Sequence, residues 1–326
     1  MGFLIDDIDF SGIGTIATLF DVGSVEVLRG PQGSRYGANA LGGLIYVRGK
    51  EPSAERGGRL QVTLGSDDTR AAGIAFGGAF DDAGDVAFRM SAQRYESNGF
   101  RTNPYLGRDD TNGRDETGAR FALAVDRNVS ARVALIYSRI DDGYDAFSLD
   151  NSYTMLSDKP GRDAQESIGS SLRLDWDDVG PGSLTSITSL ASSDIEFSFD
   201  ADWGNDDSWA PVLYDYVSLH QRQRDTLSQE FRFTMDTWLF GVYALRLDED
   251  LETLNQGEYY DPGYDWADSL DDALDSRYRS NNVAVFAQFD DQLANGAAEA
   301  TVTRHAQAAK TRLSSTSITG NSVVPD

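Results

Sequence analysis

The chain has 326 residues, a net charge of −25, no cysteine and a mean hydropathy of −0.41. This charge argues against nucleic acid as a partner, because phosphate binding needs clustered Lys and Arg, and the lack of cysteine removes disulfides, thiolate catalysis and Cys-ligated metals. No stretch approaches the ~20 apolar residues of a membrane helix, whereas a membrane β-barrel stays open, because the hydropathy of its alternating strands averages out.

The first residues, MGFLIDDIDFSG, do not read as a signal peptide. A basic n-region is missing, and Asp6, Asp7 and Asp9 interrupt the apolar run. Either the protein is not exported or its true beginning is missing. Residues 1–56 read as short strands and Gly/Pro turns. Two β-type runs, 25–28 and 44–47, bracket a segment carrying Gly30, Gly33, Gly37, Gly42 and Gly43. This is not a phosphate loop. No Lys-Ser/Thr follows the glycines, Lys50 is followed by Glu51, and neither the G-x-G-x-x-G spacing nor an amphipathic helix is present.

From residue 57 onward the pattern becomes period-2, the signature of strands with two different faces. Leu60, Val62 and Leu64 alternate with Arg59, Gln61 and Thr63; Val86, Phe88, Met90 and Ala92 alternate with Ala87, Arg89, Ser91 and Gln93; and Val133, Leu135 and Tyr137 alternate with Arg132, Ala134 and Ile136. Leu172, Leu174 and Trp176 follow, then Phe231 and Phe233, then Val283, Val285, Ala287 and Phe289. About ten such segments lie between 59 and 290, each near the length of a tilted membrane strand. Alternation alone fits a soluble antiparallel protein equally well. The connections favour a barrel: short turns at 81–85, 126–130, 177–183 and 235–237 alternate with long loops at roughly 96–117, 140–165, 193–224 and 248–280. The 66–69 connection belongs to the long set but is short. The tail, 294–326, lacks aromatic residues and alternation, and reads as a disordered end or as non-native sequence.

Candidate chemistry is sparse. With 53 acidic residues, carboxylate pairs of glycosidase type occur by chance. The acid-rich runs 200–207 and 268–275 do not fit an EF-hand loop, so solvated loops are the default reading. His220 and His305 are too few for a His-based metal site or triad. No cofactor or metal is expected. Aromatic residues in polar loops carry more information. Trp203, Trp209, Tyr214 and Tyr216 fall in one long loop, and Tyr259, Tyr260, Tyr264 and Trp266 in another. Such residues suit ligand contact, loop self-packing or an interfacial girdle.

Together these features resemble the TonB-dependent outer-membrane receptors. The carrying stretch is VEVLRGPQGSRYGANALGGLIYVRGKEP (25–52), which looks like the end of the family's plug, with Arg29, Gly30, Pro31, Gly33, Tyr36, Gly37, Gly42 and Gly43 on the motif. IDDIDF (5–10) resembles the preceding plug strand, and SQEFRF (228–233) and NNVAVFAQF (281–289) resemble barrel strands. The resemblance implies an all-β fold: a partial antiparallel transmembrane β-barrel, about ten strands of a roughly 22-stranded design, preceded by the end of a plug domain. The expected divisions are 1–56 for the plug, 57–293 for the barrel and 294–326 for the tail.

The resemblance also implies transport rather than enzymology. The expected function is active uptake of a scarce small-molecule ligand such as a metal chelate (a ferric siderophore, haem or cobalamin). The expected partners are outer-membrane lipid and the TonB complex. It places Arg29 among plug arginines that pair with barrel glutamates, with Glu230 as the candidate partner. The missing TonB box and first plug half, and the open edges of a ten-strand sheet, lead to the expectation of a fragment that neither seals a barrel nor transports. A passive pore or surface adhesin, and a surface hydrolase, are the alternative readings.

Overall fold

A computed structural model describes residues 2–13, 20–30, 42–293 and 298–319. Its first unit is a four-stranded sheet of order β2-β1-β4-β3, built from β1 (Gly2–Ile5), β2 (Ile8–Asp9), β3 (Val22–Arg29) and β4 (Gly43–Gly49). β1 runs parallel to β4, and the other pairs are antiparallel. Asp6 and Asp7 turn β1 into β2 with φ of 47° and 67°. Asp tolerates this left-handed region because its short polar side chain bonds locally. Here Asp6 Oδ1 accepts the Gly49 amide at 2.9 Å and Asp7 Oδ1 accepts the Tyr46 hydroxyl at 2.7 Å. Gly43, at φ 135°, starts β4 opposite Arg29 of β3, and a Cβ there would meet Leu28 O at 2.8 Å. Only glycine fits that approach.

The second unit is one antiparallel sheet of eleven strands in sequence order. It comprises β5 (Gly57–Leu64), β6 (Arg70–Ala79), β7 (Val86–Ser97), β8 (Arg114–Asp126), β9 (Ser130–Tyr144), β10 (Gly161–Val179), β11 (Gly182–Asp200), β12 (Leu213–Thr234), β13 (Trp238–Asp261), β14 (Trp266–Leu293) and β15 (Ala298–Thr319). Among the described residues the sheet does not close, as expected of a partial barrel. β5 to β14 supply the strands expected between 59 and 290. β15 pairs outside β14 from residues that lack apolar alternation.

One face of this sheet carries the apolar rows. Leu60, Val62, Leu64, Ile74, Met90, Leu135, Leu172, Phe231, Val242, Val283 and Val285 are all exposed. The register of neighbouring strands keeps them on the same side, away from the plug. A bare apolar band is unstable in water and suits hydrocarbon. Arginine in place of Val242 should therefore cost about 2–4 kcal/mol of stability in a bilayer, read by urea unfolding from vesicles. Gln256→Arg, higher on the same face of β13, should change it little.

The strands outrun the band. β13 has 24 residues and β14 has 28, against the ~9–11 that a tilted membrane strand needs. Beyond the band the outer face carries ion pairs: Arg162 to Asp141 at 2.8 Å and Glu196 at 3.1 Å, Arg277 to Asp250 at 2.6 Å, and Arg246 to Asp248 at 2.7 Å. These arms correct the expected loops. Roughly 193–224 and 248–280 are largely β-ladder, with connections only at 201–212 and 262–265. The ladder continues where the outer face turns from apolar to charged, so the hydropathy alternation ends before the strand does. The remaining connections on this rim are 65–69, 98–113 and 145–160. The opposite rim has short connections at 80–85, 127–129, 180–181 and 235–237.

Candidate functional site

The plug sheet lies against the inner face of the wall. Its apolar core of Ile5, Ile8, Phe10, Ile13 and Val47 is shared with Ile136 of β9, with Ala191 and Ile195 of β11 packed against it. Gly169 of β10 makes room for this contact. A Cβ there would meet Phe10 at 2.7 Å and Ile8 at 2.9 Å, so a side chain would hold the plug off the wall.

Ion pairs join the units at two places among the described residues. Arg89 of β7 donates Nε and Nη2 to the two Asp21 oxygens at 2.8 and 2.5 Å, with side chains 9% and 2% exposed. Arg120 of β8 donates Nε to Asp6 Oδ2 at 2.5 Å and Nη1 to Lys50 O at 3.0 Å. Bidentate charge-assisted bonds of this kind fix orientation as well as adding strength. Neutral bonds supplement them: Ser171 Oγ donates to Asp6 O at 2.7 Å, and Arg222 Nη2 donates to Gly12 O at 2.8 Å.

Above the plug contacts the inner wall becomes aromatic. Tyr144 and Phe197 meet at 4.7 Å between ring centroids; Phe197 continues to Phe199 at 5.7 Å and His220 at 6.2 Å. Phe147, from the 145–160 connection, packs on Tyr144 at 6.1 Å and stacks on Trp203 at 5.1 Å. A second run goes from Trp209 to Tyr214 at 5.2 Å, on to Tyr216 at 5.0 Å and Tyr259 at 6.2 Å, and from Tyr259 to Trp266 at 5.1 Å. Register places Tyr214, Tyr216, His220, Arg222 and Thr226 on one face of β12, the face that meets the plug. The result is a broad π-surface of rigid, amphipathic side chains over a polar floor, suited to a flat or amphipathic small molecule.

The expected site residues fall into place unevenly. Of the eight aromatics assigned to loops, Tyr214, Tyr216, Tyr259, Tyr260 and Trp266 lie on strands, and only Trp203, Trp209 and Tyr264 lie in connections. Trp203, Trp209, Tyr214, Tyr216, Tyr259 and Trp266 belong to the two aromatic runs. Tyr260 instead donates to Asp265 at 3.2 Å, and Tyr264 is 86% exposed. Within the plug motif, Arg29 ends β3 with an exposed side chain, followed by Gly30, and Gly42 and Gly43 lead into β4. Pro31, Gly33, Tyr36 and Gly37 lie outside the described residues. Glu230 faces inward and is buried, and its carboxylate is bound by Arg232 of its own strand. In the Asp21–Arg89 and Asp6–Arg120 pairs the carboxylates belong to the plug and the arginines to the wall. Sequence reasoning missed Asp6, Asp21, Arg89, Arg120, Tyr144, Phe147, Phe197 and Phe199. The available signal was an arginine at an inward position of an otherwise apolar strand, as in VAFRM (86–90), and aromatics two apart within polar sequence. Among the described residues no group of three or more His, Asp or Glu side chains is placed to hold a metal ion.

No family model matches the chain. The pesticin receptor of Yersinia pestis is 33% identical over 109 residues, which are 33% of this chain and 16% of that receptor. The metal-pseudopaline receptor CntO of Pseudomonas aeruginosa is 38% identical over 77 residues, 24% of this chain and 11% of that one. Among solved structures, the ferric yersiniabactin uptake receptor FyuA from Yersinia pestis superposes with a TM-score of 0.65 at 16% identity, covering 96% of this chain and 52% of that one. The chain thus spans about half the length of this structural relative, and its aligned part is a small share of the curated ones. These named relatives are receptors, not enzymes. The chain is a relative of the TonB-dependent receptors, with the fold of a plug against a partial barrel wall.

Proposed function

We propose that this chain supplies the plug contact and part of the ligand-binding wall of a receptor that takes up a scarce small molecule, such as a metal chelate, across the outer membrane with energy from the TonB complex. The observation that carries this reading is the continuity of one inner surface. The face of β12 that bonds the plug at Arg222 and Thr226 runs directly into His220, Tyr216 and Tyr214. A ligand seated on the aromatic runs therefore rests above the plug it must pass. The ion pairs at Asp21 and Asp6 hold that plug until a pulling force exceeds them. The exposed apolar band on the opposite face supports a location in the outer membrane.

Tryptophan fluorescence of the chain in detergent, titrated with a panel of ferric and cobalt chelates, tests the reading. At least one chelate should quench saturably, and Trp209→Ala or Tyr259→Ala should each weaken its binding about tenfold, or ~1.4 kcal/mol. Equal affinity in both variants, or no saturable quenching by any chelate, would count against it.

A further inference from the structure

The two connections 145–160 and 201–212 form one packed unit above the wall. Asn205 Nδ2 donates to Leu156 O at 2.7 Å, and the Asp158 amide donates to Gly204 O at 2.9 Å. At their junction, outside the apolar band, lie the carboxyls of Asp200 and Asp202, 6% and 3% exposed. Asp202 is fully used as an acceptor. Its Oδ1 takes the Gly204 amide at 2.9 Å and Trp209 Nε1 at 3.3 Å, and its Oδ2 takes the Tyr216 amide at 2.8 Å. Asp200 Oδ1 takes the amides of Asp202 and Trp203, both at 3.2 Å. Asp200 Oδ2 is buried with no donor, and the buried Ser157 Oγ near it also lacks a well-formed bond. Lys159, in the same connection, is committed to Asp215 of β12, with Asp158 beside it.

An ionised Asp200 would thus have only the Ser157 hydroxyl, in a poorly formed contact, in place of the water lost from one oxygen, next to a second carboxylate. One proton on Oδ2 answers both difficulties, because it removes one of two like charges and supplies a donor to Asp202 or Ser157. We propose that one proton held on Asp200 locks the two connections together, and that its loss releases Trp203 and Trp209, making the aromatic wall a pH-gated surface. Burial, with the Asp202 charge adding to it, pushes Asp200 up to about 7. A carboxyl raised in the closed state favours closure at acid pH. Closure is therefore strongest near the ordinary carboxylate pKa of ~4, weakens as pH rises, and levels off above about 7. Naming the wall as the gated surface rests on the uptake reading; the lock itself does not need a ligand.

Amide hydrogen exchange of the whole chain in detergent tests the lock directly. Protection factors at Asp202, Trp203 and Gly204 should fall roughly a hundredfold from pH 5 to 7 and then stay flat. Asp200→Asn, which keeps the shape and supplies a donor, should be flat and high throughout. Asp145 and Asp158, also raised by burial, serve as controls, and Asp145→Asn and Asp158→Asn should keep the wild-type slope. A flat wild-type profile overturns the lock, as does an unchanged slope in Asp200→Asn or a slope lost in either control. Protection at pH 8 restored by calcium and removed by a chelator would assign the junction to a cation instead. If Asp200→Asn does not fold, tryptophan fluorescence of the wild type decides. A transition near pH 7 supports the lock, and none rejects it. Ligand binding enters none of these readings, so failure of the uptake proposal and failure of the lock are separable.

Discussion

Replacing Asp21 with alanine should loosen the plug from the wall by about 3 kcal/mol, toward the lower end of the ~3–5 kcal/mol that breaking a buried ion pair costs. The change strands the Arg89 guanidinium, which loses both of its bonds to the Asp21 carboxylate. Arg89→Ala should cost a similar amount by stranding the carboxylate. The double variant Asp21→Leu/Arg89→Met should recover most of the loss, because neither charge is then left buried alone. Exchange protection of the β3–β4 amides reports the plug, and the double-mutant cycle isolates the pair. A coupling energy near zero would show that this ion pair does not hold the plug.

Phe10→Ala should cost about 3–5 kcal/mol, the range for a large aromatic removed from a packed core. Phe10 is 1% exposed and fills the space left open by Gly169 on β10. Its loss removes plug core and wall contact together. The complementary change, Gly169→Val, should cost about 1–3 kcal/mol by overpacking. Because the two residues touch, their effects should not add, and a smaller cost for Gly169→Val in the Phe10→Ala background would identify the contact. Urea unfolding of the variants measures both. Purely additive losses would place Phe10 inside the plug without a wall role.

The apolar rows of β5 to β14 were legible because lipid requires an apolar residue at every second position, whatever the inner face carries. The upper arms were not. Arg162, Asp141 and Glu196 form an ion-paired outer surface in water, and its composition resembles that of a loop. The aromatic site was half legible. Trp209 and Tyr214 were singled out, but their assignment to one loop hid that Tyr214, Tyr216 and Tyr259 share a strand face with the plug contacts. The plug itself was legible from the glycines around Arg29, yet the lock was not. Asp21 and Arg89 lie 68 residues apart in sequence, and Asp6 and Arg120 lie 114 apart. Nothing in local spacing assigns partners across such separations, and the two polarities of pairing read alike in a chain with 53 acidic residues.

The central claim is that one sheet face meets lipid and the other meets the plug, and the absence of cysteine makes it directly testable. Single cysteines placed along β12 from 224 to 233 in the chain reconstituted in a bilayer can each carry a spin label, whose collision rate with oxygen reports contact with lipid. Labels at 227, 229, 231 and 233 should be oxygen-accessible, those at 226, 228 and 230 protected, and the period should be two. Uniform accessibility to a water-soluble relaxant at both sets of positions, with no alternation, would contradict the account.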